Sequence, residues 1–273
     1  MLRSTKELEH YAIGATDGDI GHVNDFYFDD DAWVVRYLVV DTGTWLAGRT
    51  VLISPIAIRQ PDWIKRSLPV AITKDQVRNS PDVDTDKPVS RQNEGQFLGY
   101  YGYLNYWGGA GIWGAGLYPY TMVPGDAGYG VDRAERERAL EAYLRDERAR
   151  HRNDDPHLRS CKTVTGYHIH ASDGEIGHVS GFLVDDETWA IRYLIVDTSN
   201  WWVGHKVLIA PRWIESVNWD DQTVSVDLTR ESVKTAQPYV PGDVWSPESD
   251  IGLYEHYGRT WYGADHRSAQ LAK

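Results

Sequence analysis

Two histidines stand in matching acidic surroundings. His22 follows Asp17, Gly18 and Asp19, and His178 follows Asp173, Gly174 and Glu175. An imidazole beside carboxylates could hold a metal ion or relay a proton. The local pattern favours a structural role, because Asp-Gly is turn chemistry and a β-strand sends alternate residues to opposite faces, so His22 need not meet Asp17. The acidic runs Asp29-Asp30-Asp31 and Asp185-Asp186-Glu187 offer oxygen ligands for Ca²⁺, yet lack the central Gly and terminal Glu of an EF-hand loop. They read as solvated turns. Arg36 and Arg192 lie inside apolar strands, where a guanidinium needs a carboxylate. Asp41 and Asp197 are candidate partners, and carboxylates elsewhere in the fold are equally suitable. Gly109-Ala110-Gly111-Ile112-Trp113-Gly114 matches G-x-G-x-x-G without the strand, helix and downstream acid of a dinucleotide site. Cys161 lacks a CxxC partner and reads as a plain small residue. No G-x-S-x-G, P-loop or H-E-x-x-H pattern occurs, so no catalytic residue, metal or cofactor is assigned.

The elements that must position these residues are short strands. Asp17-Gly18 separates the runs 12–16 and 20–29 and predicts a hairpin with a type I′ turn. Gly21 predicts a bulge or a close backbone approach. Residues 33–41 alternate apolar side chains on both faces and read as a central strand. Runs at 45–53, 56–58 and 65–72 complete the set, and Thr73 is placed to cap a turn of helix over 73–77. Five or six short strands at this spacing predict a small barrel.

The pattern occurs twice. A shift of 156 residues lays 2–78 on 158–234 without a gap, with about 34 of the 77 positions identical. Asp17, Gly18 and Gly21 match Asp173, Gly174 and Gly177, and Arg36 and Asp41 match Arg192 and Asp197; these residues are expected to fix the fold. The expected organisation is a first repeat over 1–80, an aromatic and Gly-rich spacer with a linker helix over 81–157, a second repeat over 158–236, and an aromatic tail over 237–273. Opposite charges four apart support the linker helix at 132–152. Tyr100, Tyr101, Tyr106, Trp107 and Trp113, echoed by Tyr257 and Trp261, either pack on the barrels or form a docking surface, since Tyr and Trp dominate interface hot spots.

Composition limits the partners. The formal net charge is −12, which disfavours direct binding to nucleic acid or to an anionic membrane. Cys161 is the only cysteine, as in a reducing compartment. The N-terminal residues lack the apolar core of a signal peptide, and no apolar run is long enough to span a bilayer. A soluble, cytoplasmic protein is expected.

The ordered set D-G-[DE]-I-G-H-V, R-Y-L-[VI]-V-D-T and V-L-I-x-P, present at both 2–80 and 158–236, resembles the PRC-barrel domain family. That fold occurs in the cytoplasmic part of the H polypeptide of the photosynthetic reaction centre and in the C-terminal domain of the ribosome-maturation factor RimM. The resemblance implies an all-β protein of two tandem barrels, acting as a non-catalytic docking module for a protein partner, with pairing of barrels within the chain or across a homodimer. An accessory role like that of the reaction-centre polypeptide, a ribosome role like that of RimM, and a metal site at His22 and His178 are the alternatives. The chain lacks the transmembrane helix of the first and the N-terminal partner domain of the second.

Overall fold

A computed structural model describes residues 1–81, 91–107, 111–114, 116–123, 157–199, 205–243 and 245–261. The expected linker helix at 132–152 lies outside the described residues, as do Gly109 and Ala110. The chain is mostly β, with two separate sheets and few helices. It divides into two compact units, one of residues 3–163 and 184–191, the other of residues 1–2, 164–183 and 192–273.

In chain order the first repeat gives β1 (Leu2–Ser4), α1 (Thr5–Leu8), β2 (Ala12–Ala15), β3 (Gly18–Asp29), β4 (Val34–Asp41), β5 (Thr50–Ile53), β6 (Ser67–Pro69) and α2 (Lys74–Arg78). The spacer adds α3 (Arg91–Tyr101). The second repeat gives β7 (Leu158–Ser160), α4 (Cys161–Val164), β8 (His168–Ala171), β9 (Gly174–Asp185), β10 (Ile191–Asp197), β11 (Lys206–Ile209), β12 (Ile214–Asn218), β13 (Thr223–Val226) and α5 (Arg230–Lys234), and its tail adds α6 (Pro247–His256).

The first sheet runs β5-β4-β3-β2-β6, and the second runs β11-β10-β9-β8-β13-β12. Among the described residues neither sheet closes on itself. β4 is buried along all but its last residue, as apolar side chains on both faces require of a central strand. β2 pairs with β6 in parallel, and β8 with β13 likewise, so the repeat extends to strand direction.

Two local expectations change, and one further helix appears. The hairpin forms where expected, but Ala15 faces Gly18, so Thr16 and Asp17 make the turn. The positive φ of 136° falls on Gly18 and not on Asp17, which excludes a type I′ turn over Asp17-Gly18. Residues 55–57 form a 3₁₀ turn opened by Pro55 instead of a strand, with the Ser54 side chain accepting from the N–H of Ile56. The spacer contains the helix α3, although its two internal glycines, Gly95 and Gly99, are poor helix formers. By contrast Thr73 caps α2 as expected, in a capping box with Gln76.

The first unit also recruits β7. Its residues pair antiparallel with β3, in the register Tyr27↔Ser160, Phe28↔Arg159 and Asp29↔Leu158. Leu158 thereby joins Tyr27, Tyr37, Val39, Leu52 and Phe97 in one buried cluster, with Tyr101 packed against it. The helix α3 and strand β7 thus complete the core that β3, β4 and β5 begin.

Candidate functional site

Buried ionisable side chains of the first unit converge beside β3 and β4. Arg36 is only 2% exposed. Its Nη2 donates to Asp29 Oδ2 at 3.1 Å and its Nη1 donates to the Ile112 carbonyl at 2.6 Å. The guanidinium lies 3.7 Å from the centre of the Tyr106 ring and 4.7 Å from that of Trp113, so aromatic faces supply the rest of its surroundings. Asp29 ends β3, and its Oδ1 accepts from the backbone N–H of Asp31 and Ala32 at 3.0 and 3.2 Å. Burial alone would raise the Asp29 pKa. The Arg36 charge and the Ala32 N–H outweigh it, and the carboxyl titrates below its ordinary value.

Glu94, on the first turn of α3, is 1% exposed. Its Oε2 lies 2.7 Å from His157 Nε2, and its Oε1 accepts from the Tyr106 hydroxyl. At that distance two bare lone pairs would repel, so a proton lies between the two atoms. Burial, then the neighbouring Glu94 charge, push the Tyr37 and Tyr106 hydroxyls well above the usual phenol range. The groups therefore face each other in the interior, where they tie the spacer and the segment before β7 to the sheet.

A second set fastens β7 itself. Arg159 Nε donates to Asp30 Oδ2 at 2.7 Å. Ser160 Oγ donates to Asp25 Oδ2 at 2.5 Å, and the N–H groups of Phe26 and Lys162 donate to Asp25 Oδ1. Desolvation outweighs these donors, and Asp25 titrates above its ordinary value.

The other unit repeats the plan in looser form. Asp250 on α6 accepts from the Tyr193 hydroxyl and from Trp245 Nε1, both at 2.6 Å. Arg192 Nη2 is 3.9 Å from Asp250 Oδ2, and the Arg192 side chain is 35% exposed. Glu94 and Asp250 are themselves 156 residues apart, as are Tyr101 and Tyr257. The duplication thus includes the tail helices, a signal that extending the 156-residue shift past 234 would have found. Neither Glu94 nor His157 stands out in the sequence, since each lies outside the strongly matching segments.

The structure relocates several expected partners. Arg36 pairs with Asp29 and not with Asp41, whose Oδ1 accepts from the Gly43 N–H. Arg192 approaches Asp250 and not Asp197, which accepts from the Ser199 N–H. Asp17 and Asp173 accept from the N–H of Lys74 and Arg230, so each turn is tied to the helix that ends its repeat. A Cβ on Gly21 would overlap the Asp41 carbonyl oxygen, and one on Gly177 that of Asp197. His22 is exposed opposite Asp41 in the β3–β4 ladder, away from Asp17. Among the described residues the one group of three close metal-type ligands is Asp29, Asp30 and Asp31. That run is no solvated turn, because Asp29 and Asp30 are held by Arg36 and Arg159.

The aromatics divide. Tyr106, Trp113 and Tyr257 are buried, and Tyr101, Trp107 and Trp261 are half-buried. A buried ring cannot meet a partner, so packing accounts for the first three. Trp113 also donates its Nε1–H to the Thr188 carbonyl at 2.7 Å. Tyr100 remains exposed, with its hydroxyl donating to the Gln76 carbonyl at 2.8 Å.

An open cleft of about 410 Å³ lies on the same unit. One wall is the 3₁₀ turn at Pro55 with Ile58 and Arg59. A second 3₁₀ turn, Pro119–Met122, packs against the first and brings Tyr118 and Tyr120 to the cleft. Asp186, Glu187 and Trp189 also line it. The Tyr118 and Tyr120 rings are stacked at 5.3 Å with an interplanar angle of 10°, and Tyr120 is 64% exposed. Neither of these tyrosines stands among the expected docking aromatics.

Taken together, fold and site define a mostly β module whose central charged groups are turned inward. Residues 7–77 match the model of the PRC-barrel domain, and that segment is a PRC-barrel domain, as its motifs implied. No curated protein matches the chain. No helix among the described residues is long and apolar enough to cross a membrane.

Proposed function

We propose that this is a non-catalytic binding protein of two PRC-type barrels in tandem that engages a protein partner. The match of residues 7–77 to the PRC-barrel domain carries the reading. The second repeat follows by its ungapped likeness to the first over 158–234. The inward orientation of Arg36, Asp29 and Glu94 supports it, since groups 1–3% exposed offer no atom to a substrate. A cytoplasmic site of action accords with the single cysteine. The net charge of −12 weighs against direct contact with RNA.

The test is a crosslinking pull-down from the native lysate with the full chain as bait. The recovered protein is then purified and mixed with the bait in size-exclusion chromatography with light scattering. A complex of defined stoichiometry is expected. A strictly monomeric bait with no partner that reconstitutes overturns the reading.

A further inference from the structure

We propose that the outer face of strands β8, β9 and β10 binds a divalent transition-metal ion of the zinc class, held by His168, His178 and Asp197. The proposal goes beyond the binding-module reading and does not depend on it.

The strand register brings these residues together. Exposed and buried residues alternate along β8, so His168 and His170 share its outer face. His168 stands opposite His178 on β9, and His170 stands opposite Glu175. The ladder shifts between Ile169 and His170, and Gly177 on the facing strand has a positive φ of 135°. Without that shift Glu175 and His178, three residues apart, would point to opposite faces. With it Ile176 and Gly177 are both buried, while Glu175 is exposed and His178 half-buried. The Val179 N–H donates to the Tyr167 carbonyl at 2.8 Å, one step outside the His168–His178 pair. That places the two histidines as a non-hydrogen-bonded pair, whose side chains stand closest, with Cβ atoms about 4.5–5.5 Å apart.

The carboxylate comes from the next strand. A Cβ on Gly177 would meet the Asp197 carbonyl, so β10 passes beside His178 at Asp197. The counterparts of these two residues in the first repeat, His22 and Asp41, face each other directly. Asp197 also titrates below its ordinary value, first through its hydrogen bonds from Ser199 and further through the neighbouring His178.

Two imidazoles and a carboxylate suit zinc, which sits about 2.0–2.1 Å from each nitrogen and so holds two of them about 3.3 Å apart. Rings rising from facing Cβ atoms reach that separation by rotation about χ1 and χ2. As the side chains stand the donor atoms do not converge, and His168 Nδ1 lies 2.8 Å from Glu175 Oε1. That contact leaves Nε2 of His168 for the ion, the arrangement in which a carboxylate orients a metal-binding imidazole. The first repeat supplies the contrast. Ala12 stands where the second repeat has His168, so His22 faces a methyl group and Asp41 without a second imidazole.

The test is calorimetric titration of the full chain with Zn²⁺. One tight site per chain is expected, and excess Mg²⁺ should not displace the ion, since imidazole suits zinc and not magnesium. His168→Ala and His178→Ala should each abolish the tight site. Glu175→Ala, which removes the orienting carboxylate and no ligand, should weaken it about tenfold. His22→Ala should leave it unchanged. The His168 and Glu175 side chains are 54% and 48% exposed, so their variants should keep the parent melting temperature without metal. Zn²⁺ should raise the melting temperature of the parent and not that of His168→Ala. No saturable binding, unchanged affinity in His168→Ala or His178→Ala, or loss of the site in His22→Ala overturns the proposal.

Discussion

Trp33 and Trp189 occupy the same place in the two repeats, and each accepts a backbone hydrogen bond from the residue two positions beyond the other. Ile191 N–H donates to the Trp33 carbonyl at 2.7 Å, and Val35 N–H donates to the Trp189 carbonyl at 2.8 Å. Both tryptophans have positive φ, 54° and 60°, a conformation that bulky residues rarely adopt. Each also caps its acidic turn, its N–H donating to the Asp29 or Asp185 carbonyl at 2.8 Å. The reciprocity couples the two acidic turns through backbone alone, so it tolerates substitution of either side chain better than a change of turn length.

The Asp29–Arg36 pair gives the first expectation. Arg36→Ala leaves a buried carboxylate without its cation, which costs about 3–5 kcal/mol. Arg192→Ala, at a half-exposed site, should cost about 1 kcal/mol or less. Urea unfolding of the two variants measures the contrast, and equal losses would refute it.

A second expectation concerns pH. Asp25 titrates above its ordinary value in the folded protein. A raised pKa means stability present at low pH and lost as pH rises from the unfolded value of 3.8 through the folded one. Asp29, with its lowered pKa, acts in the opposite sense and only below pH 3.8. Burial raises the Asp30 pKa as well, so Asp25→Asn should remove part of the decline in urea midpoint above pH 3.8 while leaving the acid limb in place. An unchanged pH profile in Asp25→Asn would remove this account.

Glycine positions separate close approach from conformational freedom. Gly21→Ala and Gly177→Ala each drive a methyl into a backbone carbonyl of the neighbouring strand and should cost about 3 kcal/mol or more. Gly43→Ala has a positive φ of 57° but open space around it, so about 1 kcal/mol is expected. Melting temperatures in the order Gly43→Ala above Gly21→Ala check this.

Cys161 is buried, and desolvation raises its thiol pKa well above the ordinary value. Little thiolate forms at neutral pH, so a thiol reagent should react on the timescale of unfolding and not of mixing. Rapid labelling of the native protein would contradict this burial.

The repeat, the central strand and the capped helix at Thr73 were legible because each rests on a local pattern: a fixed shift, a period of two, a side chain three residues from its N–H. The Arg36 partner was not. Asp41, five residues along the same strand, falls on the opposite face from Arg36, and only the pairing of β3 with β4 shows that Asp29 is the carboxylate that meets it. Glu94 and His157 are 63 residues apart and meet through the packing of α3, which no periodicity announces. The aromatic spacer offered the right residues and the wrong emphasis, because composition reports ring content and says nothing of which rings a sheet will cover.

Strand β7 has a consequence for synthesis. Asp30 and Arg159 are bonded across 129 residues of chain. A ribosome adding about 5–20 residues per second would expose the outer side of β3 for roughly 6–26 s before β7 emerges to cover it. During that interval the nascent chain holds an unpaired edge, the kind of surface that pairs with the wrong neighbour. The tie between β3 and β7 therefore makes the first repeat's completion wait for translation of the second, so the rate of translation sets how long the chain stays open to association with itself.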